Sequence, residues 1–226
     1  MDESIWEVFY TGAKEVGVSL TPREIELFRA YLTELKRWNS KINITALFDD
    51  IDILIKHFVD SLTPLKYIPD DSSLLDIGSG GGFPGIPLKI ASPSLYVTLL
   101  DSRLKRANFQ KHTIRTLQLN RIKSVIGRAE DKDMLESMGL SFDVVISRGV
   151  SNLEKFCTTG IPYVKKDGLL IAMRGRMAKM ELARNKETLS RLKLRVINTV
   201  ELHLPYLNEK RGLLILSKQA KFQPSL

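Results

Sequence analysis

In 226 residues there is one cysteine, Cys157, and there are three histidines, His57, His112 and His203, far apart along the chain. A single thiol excludes an internal disulfide and a cysteine-built zinc site. The scattered histidines form no ligand cluster and no base–nucleophile pair, so no metal site is expected. No apolar run approaches the roughly 18–20 residues of a membrane span. The opening MDESIWEVFY is acidic and lacks the charged-then-apolar pattern of a secretory signal. A cytoplasmic protein is expected, with no membrane partner. Internal repeats and low-complexity tracts are also missing, which excludes a repeat array.

What is present supports a folded chain. The apolar fraction of 43% suffices for a sizeable core. The length suits one α/β domain with an extension, or two small domains. The formal charge of +8 suits a polyanionic partner, because fixed cations displace counterions from phosphates. A basic but otherwise ordinary soluble protein has the same net charge, so the distribution of the cations carries more weight.

Residues 1–68 read as a helical extension, and 69–226 as a second unit. Thr21 is a good N-cap, Pro22 suits the first helical position, and Glu24 stands where a capping box places its acid. Ile25, Phe28, Leu32, Leu35 and Trp38 then recur at spacings of three and four, one apolar stripe on a helix of about five turns. For Trp38 this position means core packing. A second apolar stretch covers 51–62, and Pro64 with PDDSS breaks the pattern.

From residue 72 short apolar strands alternate with helices. SSLLDI, LYVTLLD, KSVIG, FDVVIS and DGLLIAM lack polar alternation, as strands buried on both faces do. Helical segments are expected at 84–91, 103–119, 131–138, 152–163 and 176–192. This order predicts a mostly parallel, doubly wound, Rossmann-like sheet. LRVINTVELHL and RGLLILSK follow with only PYLNEK between them, so an antiparallel hairpin is expected to close the sheet edge. On the helix after the second strand, Leu104, Ala107, Ile114 and Leu117 are expected to pack on the sheet, with Phe109 off that stripe.

The first strand ends at Asp76-Ile77 and runs into Gly78-Ser79-Gly80-Gly81-Gly82. Glycine permits positive φ and lets a ligand touch main chain. Pro84 and Pro87 fit the first turn of the next helix. Ligands of parallel sheets bind at the carboxyl ends of the strands, and Asp101, ending the second strand, is placed to bond both ribose hydroxyls. Dinucleotides and S-adenosylmethionine share this plan. Phe83 occupies the third glycine's place of the dinucleotide pattern. The register from Gly80 that does match starts two residues late and forces a proline into the turn. Asp76 would repel a pyrophosphate and suits the cationic amino-acid end of S-adenosylmethionine. A tight turn with no ligand is the plainer alternative for such a loop.

LDIGSGGGFPGIPL, LLDSRLKR, GRAED and FDVVISRGV, together with WNSKINITAL and KHFVDSL upstream, resemble the glucose-inhibited division protein B family. These are bacterial small-subunit ribosomal RNA methyltransferases that modify guanine N7. The resemblance implies a class I S-adenosylmethionine-dependent methyltransferase fold, a seven-stranded sheet with an N-terminal helical cap. It implies S-adenosylmethionine as donor, leaving S-adenosylhomocysteine, and the 530 loop of 16S RNA as target. By position it implies Gly78, Phe83, Ala129, Glu130 and Arg148 as cofactor residues; Asp76, Gly80 and Asp101 join them on the physical argument. Gly149 stands where the family usually has alanine, and Arg174-Gly175 where it often has Lys-Gly. His57, Asp60, Asn39 and Asn43 match family positions with no role derivable from sequence.

Guanine N7 carries a lone pair and no proton, so positioning, rather than a general base, is the expected contribution of the protein. Arg148, directly after a buried strand, is the candidate positioning residue; a solvated strand end is the plainer reading. Glu130 is placed to flank the adenine, or to serve only as a first-turn helix acid. Of the basic groups, Arg174, Arg176 and Lys179 begin at a strand's carboxyl end and are expected to contact RNA phosphates. Arg103, Lys105, Arg106, Lys111, Arg115, Arg121 and Lys123 read as a solvated helix face. The partner expected is 16S RNA, as naked RNA, small subunit or assembly intermediate, with the enzyme a monomer. An NAD(P)-dependent oxidoreductase, a non-catalytic RNA-binding protein on the same fold, and a methyltransferase for another substrate are the rival readings.

Overall fold

The computed structural model describes residues 3–139, 141–149, 152–207 and 209–218. Three helical elements come first. Helix α1 is Glu3–Glu15 and α2 is Pro22–Ile42, the latter opened by the predicted capping box: Thr21 Oγ1 accepts from Glu24 N–H, and Glu24 Oε2 from Thr21 N–H. The third begins as α3 (Asp50–Ile53), widens into a π-helix over Leu54–Val59, and ends as α4 (Asp60–Leu62). A 3₁₀ turn, Leu65–Tyr67, leads to the sheet.

Strands β1 (Ser73–Ile77), β2 (Tyr96–Asp101), β3 (Ile122–Ile126), β4 (Phe142–Arg148) and β5 (Val164–Gly175) alternate with α5 (Gly85–Ala91), α6 (Leu104–Thr116), α7 (Lys132–Met138) and α8 (Leu153–Gly160). Then come α9 (Ala178–Arg184), α10 (Lys186–Arg191), β6 (Leu194–His203) and β7 (Lys210–Lys218). The strand order is β3-β2-β1-β4-β5-β7-β6, parallel except for β7, which pairs antiparallel with both β5 and β6. The single helix expected at 176–192 is two, broken at Asn185.

The apolar strand sequences follow from burial on both sides. Leu74, Val144, Ile146, Ile171, Met173, Leu213 and Ile215 face the cap together with α5 and α6, while Leu75, Ile77, Val145, Leu170, Ala172, Leu214 and Leu216 face α7, α8, α9 and α10. Successive residues alternate between two dry faces, so no polar phase survives in the sequence. The cap has no separate core: Trp6, Phe9, Phe28, Tyr31 and Phe58 are continuous with the sheet residues of their side. The division near residue 68 is therefore one of sequence pattern, and packing runs across it.

Two expectations for α6 are corrected. Leu104, the first residue of the helix, is 58% exposed, whereas Phe109 is wholly buried. Phe109 packs on Trp38 (centroids 5.7 Å apart) and Tyr31 (6.4 Å), so it serves the cap. Helix α6 has two partner layers, the sheet and the cap, so its buried face is wider than one stripe. No described helix is long and apolar enough to cross a membrane.

Candidate active site

The glycine-rich loop after β1 is held from three directions. Gly78 and Gly80 have φ of 73° and 56°, conformations that favour glycine. The Gly78 and Ser79 amides donate to the Leu100 carbonyl at 2.8 and 3.2 Å, and Gly80 N–H donates to Asp101 Oδ2 at 2.8 Å. From α6, Gln110 Nε2 donates to the Gly80 carbonyl at 2.9 Å, while Gln110 Oε1 accepts from Ser124 Oγ at 2.7 Å. From the cap, the Tyr31 hydroxyl donates to the Gly81 carbonyl.

Asp76 is fully buried. Its Oδ2 accepts from Gly85 N–H at 3.0 Å, and its Oδ1 has no hydrogen-bond partner among the described residues. Burial pushes the carboxyl well above the usual range, against the Gly85 amide, the Arg148 charge and the nearby Ser79 hydroxyl, which donates to the Asp76 main-chain carbonyl at 2.8 Å and not to Oδ1. A buried polar group left unpaired costs about 1–3 kcal/mol, more when charged. An added Cβ at Gly85 would lie 2.3 Å from Leu99 Cδ2 and 3.0 Å from Asp76 Oδ2, so a glycine here lets main chain meet the carboxylate.

Beyond this loop a cleft of about 730 Å³ brings together Gly78, Asp101, Ala129 and Glu130, with Phe156 and Thr159 of α8 on its wall. Asp101 Oδ1 accepts from Arg103 N–H at 2.9 Å, and Arg106 Nη1 stands 3.7 Å from Oδ2. The Ala129 carbonyl accepts from the Tyr163 hydroxyl at 2.8 Å. Glu130 is exposed and lies 3.7 Å from Lys155 Nζ. Asp76 and Gly80 belong to the adjoining strand end and loop. Asp76's unpartnered buried oxygen fits the ammonium of S-adenosylmethionine.

Phe83 and Arg148 stand elsewhere. The Phe83 ring stacks on His57 with centroids 4.6 Å apart, and the Arg148 guanidinium lies 4.9 Å from the same ring. Arg148 Nη1 donates to the Lys56 carbonyl at 3.0 Å, in the π-helical turn, and lies 3.4 Å from Asp60 Oδ2. Its Nη2 donates to His57 Nδ1 at 3.0 Å. A guanidinium has no acceptor, so His57 carries its proton on Nε2, which donates to Thr45 Oγ1 at 2.7 Å. Burial and the Arg148 charge hold His57 down to about 3, so the ring is neutral. Buried Asp60 also meets Arg211 Nε at 3.5 Å; burial raises its pKa against both arginines. These groups line a second cleft of about 700 Å³, reaching across to Arg174, Glu181 and Arg211.

A glycine loop at the carboxyl end of β1 with two carboxylates around it is the nucleotide crevice of a doubly wound sheet. The family described as rRNA small subunit methyltransferase G matches residues 24–211. The chain belongs to that family. It is a methyltransferase, and its cofactor is S-adenosylmethionine. The ribosomal RNA small subunit methyltransferase G of Geotalea uraniireducens (strain Rf4) is 40% identical over 97% of this chain and 100% of its own length. The protein of the same name from Acetivibrio thermocellus is 37% identical, over 96% and 91%. Among solved structures, a SAM-dependent methyltransferase from Aquifex aeolicus superposes with a TM-score of 0.58 at 17% identity, covering 77% of this chain and 96% of that one. M. jannaschii TYW2 in complex with AdoMet gives 0.54 at 16%, covering 69% and 73%. These two likenesses show the fold.

The three cations expected to meet phosphates differ in setting. The Arg174 side chain of the methyltransferase is only 8% exposed and lies 3.2 Å from Glu181 Oε2; burial lowers its pKa. It faces the second cleft rather than an open surface. Arg176 is exposed, and so is Lys179, which pairs with Glu201 at 2.5 Å. Gly149 adopts φ of 80°. The family positions without a derived role hold the cap: Asn39 Oδ1 accepts from Thr45 N–H at 2.8 Å, and Asn43 ends α2 in the left-handed region. His57 and Asp60 cage Arg148. Sequence reasoning missed Gln110, Tyr31, Tyr163 and Glu181. For Gln110 a polar residue on the buried face of α6 was the available signal; the others carry none without the fold.

Proposed function

We propose that this enzyme transfers a methyl group from S-adenosylmethionine to N7 of a guanine in the 530 loop of 16S ribosomal RNA. The observation carrying the donor assignment is Asp76: fully buried, with Oδ1 unpartnered among the described residues, beside a main-chain loop opened by left-handed glycines. Asp76 Oδ1 would take the donor's ammonium, Asp101 the ribose hydroxyls, Gly78 and Gly80 the close approach of main chain, and Ala129 and Glu130 the adenine. Phe83 would act through its main chain, since its ring is committed to the cap. Bound S-adenosylmethionine supplies an electrophilic methyl group. The protein's own work is to hold the acceptor in line with it.

The target base would enter the second cleft, under Arg148. Arg148 is a positioning residue there: its guanidinium is fixed by Lys56, His57 and Asp60 and cannot deliver a proton. His57 has one nitrogen bonded to an arginine donor and the other to Thr45, so it is no base. N7 needs none. Arg176 and Lys179 would meet RNA phosphates at the rim, and Arg174 would act from inside the cleft. The enzyme is read as a monomer working on ribosomal RNA in the cytoplasm, with residues 1–68 as its cap.

The test is transfer of labelled methyl from S-adenosylmethionine to small-subunit RNA, and to 30S particles, from cells lacking the gene. N7-methylguanine in the 530 loop, located by mass spectrometry of nuclease fragments, is the expected product. Donor binding without methylation of either substrate would overturn the assignment.

A further inference from the structure

We infer that Glu181 is the specificity-determining residue that reads the Watson–Crick edge of the target guanine. The inference rests on the proposed reaction and deepens it. Along the carboxyl edge of the sheet the order is β1, β4, β5, β7. Asp76 ends β1 on the donor side, Arg148 ends β4, and Arg174 ends β5, level with Gly212 of β7. Adjacent strands stand about 4.8 Å apart. Glu181, on α9 directly after β5, lines the second cleft together with His57, Asp60 and Arg148.

A purine whose N7 is to be methylated turns its N7–O6 edge toward the donor. Its 2-amino group then points roughly the opposite way, toward β5 and β7, with N1–H beside it at about a right angle to N7. Both are donors, so their recognition demands an acceptor pair. Two side-chain carboxylates line that cleft. Asp60 is buried and committed on both oxygens, Oδ2 3.4 Å from Arg148 and Oδ1 3.5 Å from Arg211. Glu181 is 23% exposed and follows β5, the strand beyond Arg148 from the donor side, so we place the base's far edge against it. Arg174 Nε stands 3.2 Å from its Oε2, an ion pair that holds the carboxylate's charge there, and two carboxylate oxygens offer about four acceptor positions. Adenine would set the lone pair of N1 against the same carboxylate, and a site built to hydrogen-bond one base rejects one that cannot answer it.

The experiment compares kcat/KM on small-subunit RNA carrying guanosine or inosine at the methylated position; inosine lacks only the 2-amino group. The wild-type enzyme is expected to prefer guanosine by about 10-fold, the size of one good directed base contact. Glu181→Gln, whose carbonyl oxygen would be kept by Arg174 so that its amide N–H faces the base, is expected to bring the ratio to about one, with donor affinity by calorimetry unchanged. Glu181→Asp keeps the charge beside Arg174 but withdraws it by one methylene, and is expected to lower the ratio as well. A merely structural role would scale both substrates equally. A wild-type ratio in whichever variant folds overturns the inference. Failure of the wild-type enzyme to methylate the guanosine RNA overturns the reading beneath it, and is seen before any variant is made.

Discussion

Replacing Asp76 by asparagine separates the donor site from the stability of the fold. The wild-type carboxylate is fully buried, accepts from Gly85 N–H at 3.0 Å through Oδ2, and leaves Oδ1 without a partner among the described residues. Asparagine keeps the shape and the Gly85 bond but removes the buried charge. The cost of an unsatisfied buried group is about 1–3 kcal/mol, more for a charged one, so the ligand-free variant should gain about 1–2 kcal/mol at neutral pH. For a domain of this size that is about 2–8 °C in Tm. The sign against pH is fixed by linkage. Burial holds the Asp76 carboxyl above its unfolded value, so its contribution is most favourable below about pH 4 and is lost as pH rises toward the folded value. The advantage of asparagine should therefore grow between about pH 4 and neutrality and vanish below. Donor binding should go the other way: losing one partner of a buried charge pair costs about 2–5 kcal/mol, about 30-fold to several thousand-fold in Kd. Melting curves at several pH values and calorimetry with S-adenosylmethionine read both quantities. Wild-type donor affinity in Asp76→Asn would refute the placement of the ammonium.

Arg148→Ala should act first on stability: it strips the donor from the Lys56 carbonyl and His57 Nδ1 and leaves buried Asp60 with Arg211 alone at 3.5 Å. A loss of about 3–5 kcal/mol, seen as a Tm drop of about 6 °C or more, is expected, and an unchanged Tm would show that the cage bears no load. Gly85→Ala drives a Cβ to 2.3 Å from Leu99 Cδ2 and 3.0 Å from Asp76 Oδ2, so denaturant melts should show about 1–3 kcal/mol lost together with weaker donor binding. The double reversal of exposed Arg176 and Lys179 to glutamate should weaken RNA binding in filter assays, reduce the salt slope by about two, and leave donor affinity alone.

Much of the architecture was legible in the chain because local rules enforce it. The capping box at Thr21 and Glu24, the glycine run after an apolar strand, and strands with no polar phase each have one economical structural meaning. So Gly78, Asp101, Ala129 and Glu130, at or just after strand ends, meet in one cleft, Asp101 as its place at a strand end suggests and the others as the family resemblance implies. Spacing could not say what a side chain touches across the fold. Arg148 reads as a ligand-facing strand end, yet it is tied to residues Lys56, His57 and Asp60, which the cap brings from far along the chain. Arg174 reads as a surface cation and is buried beside Glu181; Phe109 reads as off the core and is buried against Trp38. Local periodicity determined the elements, since hydrogen bonding and burial within a segment depend on neighbours in sequence. The packing of the cap on the sheet decided which charges are solvated, paired or left waiting, because burial and Coulomb energy depend on distance in space.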